Sequence, residues 1–205
     1  MFNTVETRWF GRGDTPDNLL AWFARRAGDA EQQPLRRDYY LQRIRDTGLN
    51  VKLREGGLEV KQRQRSHGLI QLGQSVEGVV ERWTKWRFPV PESSDSIQSI
   101  QEASRSWLAV EKRRQLRHYR VDETGSVLPV SPLNVMSATC HFELAVVWAG
   151  ESRWWTLAFE IDDQGSDALE RLLAVAARQF DKRPPIHLSE SNSFGYPHWL
   201  AKSLN

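Results

Sequence analysis

Two short runs of alternating basic and aliphatic residues form the stretch of this sequence best suited to bind an anion. Residues 49–63 read LNVKLREGGLEVKQR, with Gly56 and Gly57 between the runs. Alternate side chains of a strand point to opposite faces, and a Gly-Gly pair between two such runs is typical of a hairpin turn. The bases on one face are Lys52 and Arg54 in the first run and Lys61 and Arg63 in the second. The hairpin is therefore either a solvated surface or one wall of an anion site.

Charged residues spaced two apart recur in other predicted strands. This spacing places both side chains of a pair on the same face of a strand, so that they can act together. The repetition favours one shared site over several unrelated solvated faces. The pairs are Glu6 and Arg8, Lys112 and Arg114, His141 and Glu143, and Glu160 and Asp162.

A surface made of these bases has a clear chemical preference. Partly desolvated ions cost several kcal/mol each unless they are compensated, and a polyphosphate supplies the compensating negative charge. Arginine can hold phosphate oxygens with two parallel hydrogen bonds. Mg²⁺ prefers oxygen ligands, often one or two carboxylates with waters and phosphate oxygens. Glu160 and Asp162 project together and are suited to hold such a cation, although they are also placed to pair with arginines on neighbouring strands.

Turn-linked strands dominate the rest of the pattern. About eight strands joined mostly by turns indicate an antiparallel sheet that is folded as a sandwich or closed into a barrel. We predict a mainly β fold with peripheral helices, in which the sheet, if it is a closed or nearly closed antiparallel barrel, would enclose a polar tunnel. The other predicted elements are a helix from Asp17 to about Arg26 capped by Thr15, a loop over 64–75, a surface helix or excursion over 92–102, a helix from a capping-box-like Asp167 to Phe180, and a short helix over 196–200.

Composition narrows the class of protein. The chain of 205 residues is predicted to be one domain spanning 1–205, and its net charge of +2 is too small to favour nucleic-acid binding. It begins without a signal-peptide pattern and has no apolar run of the roughly 20 residues that would cross a bilayer. Cys140 is the one cysteine, which excludes an intrachain disulfide and a cysteine-based zinc site. The five histidines show no ligand spacing and are given no metal role. We expect a cytoplasmic protein.

The order of several short segments resembles the CYTH superfamily, also called the triphosphate tunnel metalloenzymes. Each segment is short and degenerate, but together they extend over nearly the whole chain. They read VETRWF, KLREGGLEVKQR, GVVERWTKW, VEKRR, FELAVV, WTLAFEID and YPHWL. The resemblance implies a barrel of about eight strands whose tunnel binds a triphosphate through inward Lys and Arg side chains. It also implies a divalent cation, Mg²⁺ or Mn²⁺, held by inward Glu and Asp.

The resemblance assigns roles to individual residues. The expected phosphate-binding residues are Arg8, Lys52, Arg54, Lys61, Arg63, Lys112 and Arg114. The expected metal ligands are Glu6, Glu143, Glu160 and Asp162. Glu6 or Glu160 is the expected catalytic carboxylate, which would orient or deprotonate the attacking water.

One strand departs from the family pattern. The family carries two glutamates before a lysine, whereas this chain has Thr4 and Arg8 at the first and last of these positions. Loss of a carboxylate weakens metal binding, so two functions stay open. The first is metal-dependent hydrolysis of inorganic tripolyphosphate, thiamine triphosphate or a nucleoside triphosphate. The alternative is a catalytically weakened polyphosphate- or nucleotide-binding module. We expect a monomer or homodimer without a membrane or nucleic-acid partner; an RNA-binding barrel is less favoured and cyclase chemistry is not excluded.

Overall fold

Ten strands and three α-helices make up the described part of the chain. The structure is a computed structural model and describes residues 1–42, 46–90, 106–136, 138–162, 165 and 167–203. The segment predicted over 92–102 therefore lies outside the described residues. The strands are β1 (Phe2–Arg12), β2 (Glu31–Gln32), β3 (Arg36–Leu41), β4 (Leu49–Arg54), β5 (Gly57–Gln71), β6 (Glu77–Pro89), β7 (Trp107–Val121), β8 (Val127–Val130), β9 (Cys140–Ala149) and β10 (Ser152–Asp162). The helices are α1 (Asp17–Ala24), α2 (Ala168–Gln179) and α3 (Tyr196–Ser203).

Eight of these strands form a closed antiparallel barrel. Their order is β7-β3-β4-β5-β6-β1-β10-β9, and pairing of β9 with β7 closes the ring. The two shortest strands, β2 and β8, pair with β7 outside this ring. The predicted mainly β fold with a closed barrel and peripheral helices is confirmed.

The two faces of the barrel wall have opposite polarity. On β1, Glu6 and Arg8 face inward, whereas Val5 and Trp9 face outward into the main apolar cluster. This cluster also contains the apolar sides of α1 and α2, so the helices cover the outer face of β1, β9 and β10. Cys140 belongs to the cluster and is buried, as expected for a small apolar side chain. The covered outer face leaves the polar side chains to line the interior.

Helix α3 fills one end of the barrel. Its Trp199 stacks on the inward-facing Phe10, with ring centroids 5.5 Å apart and nearly parallel planes. Leu200 joins the same apolar cluster, together with Val110 and Val147 from the inner face of the wall. The predicted terminal helix therefore has a definite place: it is the apolar base of a polar cavity.

Two local predictions in the basic hairpin region are corrected by the structure. The turn between β4 and β5 consists of Glu55 and Gly56, with φ values of 48° and 68°, while Gly57 already belongs to β5. Positive φ at both central residues matches the primed turn that a two-residue hairpin needs. The predicted loop over 64–75 is instead strand as far as Gln71, because register shifts near Arg63 and Ser66 accommodate extra residues while pairing with β6 continues.

Helix boundaries and two short strands also differ from prediction. Residue Pro16, not Thr15, occupies the N-cap position of α1, and the helix ends at Ala24. Asp167 stands at the N-cap of α2 but makes no capping bond; its carboxylate pairs with Arg171 at 2.7 Å. The short strands β2 and β8 were not predicted, since two and four residues are too few for a readable alternation.

Candidate functional site

A polar cavity of about 640 Å³, counting its open mouth, occupies the barrel interior above α3. Eight cationic side chains and four carboxylates line it, so the formal charge of its wall is positive. The cations are Arg8, Arg36, Lys52, Arg54, Lys61, Lys85, Lys112 and Arg114, and the carboxylates are Glu6, Glu59, Glu143 and Glu160.

One side of the cavity, formed by β1, β9 and β10 together with Arg114 of β7 and called here the matched wall, pairs its charges closely. The Arg8 guanidinium donates to Glu143 at 2.6 Å and to the Thr156 hydroxyl at 3.0 Å. Arg114 lies 3.2 Å from the other oxygen of Glu143. Burial alone would raise the pKa of Glu143, but the charges of Arg8 and Arg114 outweigh it and lower the pKa to about 2. This carboxylate is therefore ionised at neutral pH.

Glu6 and Glu160 meet around a lysine on the same side of the cavity. They lie directly opposite each other on β1 and β10. Lys61 from β5 lies 2.5 Å from Glu6 and 3.6 Å from Glu160, and Lys85 lies 3.5 Å from Glu160. Burial opposes ionisation of Glu160, but Lys85 and Lys61 hold its pKa well below the usual range. Glu160 is thus anionic, and both carboxylates share one cation, Lys61.

The other side, formed by β3, β4 and β7 and called the cation-rich wall, has fewer carboxylates than cations. The fully buried Asp38 lies 3.0 Å from Arg36, 3.5 Å from Lys112 and 3.8 Å from Lys52. Burial would raise the pKa of Asp38, but these cations lower it to about 2. Glu59 adds a second partner for Lys52 at 2.8 Å.

The lysines of the cation-rich wall are incompletely compensated. Burial lowers the pKa of Lys112 well below its ordinary value, and Asp38 offsets this only in part. Burial also lowers the pKa of Lys52, despite the opposing charges of Asp38 and Glu59. Lys112 is hydrogen-bonded to the Tyr40 hydroxyl. Both amines would gain from a negative charge placed in the cavity.

Aromatic rings contact several of the same cations. The ring centroid of Tyr196, the first residue of α3, lies 3.7 Å from Lys112 Nζ and 5.0 Å from Arg8 Cζ. Trp83 on β6 lies between Lys61 Nζ at 5.3 Å and Arg63 Cζ at 5.9 Å. Such contacts stabilise a cation without neutralising it.

Four of the described cavity-lining residues carry a buried donor without a hydrogen-bond acceptor, and two of these donors also lack an ion-pair partner. The two are Trp83 Nε1 and Arg8 Nε, which have no hydrogen-bond partner among the described residues. An unpaired buried donor costs about 1 to 3 kcal/mol, and an acceptor brought by a ligand would remove that cost. The orphaned donors and the excess of cations favour the same kind of ligand, an oxyanion.

The structure brings most of the predicted site residues together at this cavity. Those that line it are Glu6, Arg8, Lys52, Arg54, Lys61, Lys112, Arg114, Glu143 and Glu160. Arg63 and Asp162 are not among the described lining residues. Arg63 precedes the first register shift of β5 and pairs with Glu81 at 2.7 Å. Asp162 is the last residue of β10, opposite Thr4, one step beyond the Glu6 and Glu160 level.

Several cavity residues were missed by sequence reasoning. These are Arg36, Asp38, Tyr40, Asn50, Glu59, Trp83, Lys85, Tyr196 and the adjacent Pro197. Trp83 and Lys85 are two residues apart and share one face of β6, but neither face of that run is uniformly polar. Glu59 lies two residues before Lys61 and therefore shares its face of the strand, so this spacing already indicates a place at the site. Asp38 gives no local signal, because its burial depends on pairing of β3 with β7 and β4.

The cavity carboxylates could provide part of the ligand shell of a divalent cation. Glu6 and Glu160 are the opposed pair, and two carboxylates completed by waters and phosphate oxygens match the usual binding of Mg²⁺. Within the described ranges, no three or more His, Cys, Asp or Glu side chains are grouped as a metal site. The residues therefore fit a cation that shares its ligand shell with a bound phosphate, and do not form a cage of their own.

Comparisons with known proteins leave the family open. No family model and no curated protein matches the chain. Among solved structures, a conserved hypothetical protein of Pyrococcus furiosus aligns over 95% of this chain and 98% of its own, with 11% identity and a TM-score of 0.43. A likeness this weak supports no functional argument. None of the helices in the described residues has the length and apolar character needed to span a membrane.

Proposed function

We propose that this chain binds a triphosphate inside the barrel and hydrolyses it with the help of a divalent cation, Mg²⁺ or Mn²⁺. The observation that carries the proposal is the cavity itself, in which eight cations face four carboxylates and buried donors such as Trp83 Nε1 lack acceptors among the described residues. The segment order that resembles the CYTH superfamily supports the same substrate class. Thiamine triphosphate, inorganic tripolyphosphate and nucleoside triphosphates share the chemistry that the cavity would recognise.

The cation-rich wall is the expected place for the phosphate oxygens. Lys52, Lys112 and Arg36 share the single carboxylate of Asp38. Lys52 has a second carboxylate partner, Glu59. A phosphate chain there would restore charge balance without breaking an existing ion pair of the matched wall. Charge-assisted hydrogen bonds to phosphate are about twice as strong as neutral ones.

The matched wall is the expected place for the reaction. Glu6 and Glu160 would hold the cation, which would neutralise phosphate charge and lower the pKa of a bound water. Glu160 stays ionised at neutral pH, so it can accept a hydrogen bond from the attacking water and orient it. Lys61, now between the two carboxylates, would move toward a phosphate oxygen and place its charge where negative charge develops.

Binding without turnover is the second candidate, and Thr4 favours it. The residue is 1% exposed, and its hydroxyl has no hydrogen-bond partner among the described residues. It stands where the CYTH pattern has a first glutamate, so one expected metal ligand is replaced by a neutral side chain.

Two measurements on the purified chain separate the candidates. Calorimetric titration with tripolyphosphate, thiamine triphosphate and ATP tests binding, and phosphate release from the same three compounds with Mg²⁺ or Mn²⁺ tests turnover. Binding with metal-dependent release supports the hydrolase. Binding without release from all three substrates leaves the binding module, and failure to bind any of them refutes both. An RNA-binding barrel would instead bind RNA with a steep salt dependence and no metal requirement.

Glu160→Gln should separate turnover from binding. We expect a loss of turnover of about 100-fold or more, because a charged metal-holding and water-orienting group is lost, with tripolyphosphate affinity changed less than about tenfold. Asp162→Asn is the matched control on the same strand and should keep turnover within about threefold. Turnover by Glu160→Gln at the wild-type rate would remove Glu160 from the reaction.

A further inference from the structure

Two histidines on neighbouring strands face each other through the same ring nitrogen. His118 on β7 and His141 on β9 are directly opposite in the strand register. Their Nδ1 atoms are 2.8 Å apart, and their rings are nearly perpendicular, with centroids separated by 5.0 Å. Sequence spacing gave no hint of this, because the two residues are brought together by strand pairing alone.

A carboxylate fixes the ring of His118 from the other side. Glu31 on β2 lies 2.8 Å from His118 Nε2, so this nitrogen carries the proton that is donated to Glu31. The Nδ1 of His118 then has a free lone pair directed at His141. Orientation of an imidazole by a carboxylate on its second nitrogen is the arrangement that accompanies most metal-bound histidines.

The histidine pair is distinct from the phosphate cavity. Neither ring is among the described residues that line the cavity, and His118 is 3% exposed. His141 is partly exposed and lies opposite Glu160 in the register of β9 and β10, on the face of β9 that also carries Glu143. The pair thus occupies the inner wall next to the proposed reaction site, with donors of a different chemical type.

We propose that His118 and His141 bind one divalent transition-metal ion, such as Zn²⁺, Co²⁺ or Ni²⁺, through their Nδ1 atoms. Imidazole nitrogen favours these ions, whereas Mg²⁺ favours oxygen. Binding would replace the contact between the two nitrogens by two metal bonds of about 2.0 to 2.1 Å, and waters would complete the shell. Because the two Nδ1 atoms are already 2.8 Å apart, the rings need only a small opening to reach this geometry. The site does not depend on the proposed triphosphate function.

The test is metal binding by the full chain without any phosphate ligand. Titration with Co²⁺, followed by its visible absorption and by calorimetry with Zn²⁺, should give one equivalent bound, undisturbed by millimolar Mg²⁺. His118→Gln and His141→Gln should each weaken binding at least about tenfold, and Glu31→Gln should weaken it about 10- to 100-fold through loss of ring orientation. The exposed His187→Gln is the matched control and should bind like the wild type.

Circular dichroism of each variant establishes that the barrel is intact. The partly exposed His141 keeps the test valid if His118 variants fail to fold. Absence of one-equivalent Co²⁺ or Zn²⁺ binding, or equal affinity in wild type and His141→Gln, would overturn the proposal and leave the two rings as a hydrogen-bonded structural pair. Because the readout needs no substrate, its failure is distinguishable from failure of the triphosphate proposal.

Discussion

The matched wall and the cation-rich wall use the same residue types with different balance. On the matched wall, Arg8 has Glu143, and Glu143 is further held by Arg114. On the cation-rich wall, Asp38 is shared by three cations. The pKa values follow this balance. Arg8 and Arg114 outweigh burial and lower the pKa of Glu143, whereas burial outweighs the one carboxylate beside Lys112 and lowers the pKa of that amine. The deficit of negative charge is therefore larger on the cation-rich wall.

This difference suggests a division of labour within one cavity. A wall whose charges already satisfy one another is rigid and costly to disturb, which suits the positioning of a cation and a water. A wall with surplus positive charge gains from an incoming anion, which suits binding. Each prediction below tests whether the two walls differ in this way.

The largest expected effect is on stability, from loss of the shared carboxylate. Asp38→Asn should lower the free energy of unfolding by about 3 to 5 kcal/mol, because one buried and two half-buried cations lose their common partner. Asp181→Asn, an exposed carboxylate paired with Arg178, should cost less than about 1 kcal/mol. Urea unfolding measures both, and tripolyphosphate should restore part of the loss in the Asp38 variant. A cost below about 1 kcal/mol for Asp38→Asn would contradict the charge balance described for this wall.

Phosphate binding should depend more on the cation-rich wall than on the matched wall. Lys52→Met and Lys112→Met should each weaken tripolyphosphate binding about 10- to 100-fold, the equivalent of one lost charged hydrogen bond. Arg114→Met should have a smaller effect, since Arg114 already pairs with Glu143. Lys182→Met, on the surface, is the control in the same calorimetric assay. A larger loss for Arg114→Met than for either lysine variant would reverse the assignment of the walls.

Binding should also take up protons. Burial lowers the pKa of Lys112, and a bound anion would raise it, so more protons are bound in the complex than in the free protein. The affinity for tripolyphosphate is then highest below the lowered pKa of Lys112 in the free protein. Above that pKa the affinity falls by at most about tenfold per pH unit. Calorimetry in buffers of different ionisation enthalpy measures the uptake. Lys112→Arg, whose guanidinium stays charged, should abolish this contribution, and an unchanged proton uptake would show that Lys112 is not the source.

The smallest expected effect comes from the ring that faces the lysine. Tyr196→Leu should weaken binding about two- to fivefold, because Lys112 loses the aromatic face 3.7 Å from its nitrogen. Tyr196→Phe keeps the ring and should bind like the wild type. Equal losses in both variants would assign the effect to the Tyr196 hydroxyl instead.

Alternation along single strands was enough to predict a turn-linked β fold with one polar face, whereas the choice of a barrel over a sandwich came from the resemblance of the segment order to the CYTH superfamily. Glu6 and Arg8, Lys112 and Arg114, and Glu160 each face the interior because a strand repeats every two residues. The same rule placed Arg63 beside Lys61 on one face. The pairing of Arg63 with Glu81, just before a shift in register, could not be predicted, because bulges arise from the partner strand.

The ion-pair and aromatic partners of the charged cavity residues could not be predicted from the sequence. Asp38 lies in a run of mixed polarity, and its role follows from residues 14 and 74 positions away, Lys52 and Lys112. Tyr196 was predicted to lie in a terminal helix, but the insertion of that helix into the barrel depends on the aromatic residues of distant strands. Local periodicity specifies faces, whereas contacts between strands specify sites.

Closure of the barrel has a further consequence for solubility of the folded chain. An unpaired strand edge is a template for association with other chains, and a closed ring removes such edges. Among the described strands, β2 and β8 each have a single neighbour, and they are two and four residues long. Pro129 in β8 also lacks the N–H that edge pairing needs. Closure of the barrel that encloses the charges thus also disfavours aggregation by pairing of exposed strand edges.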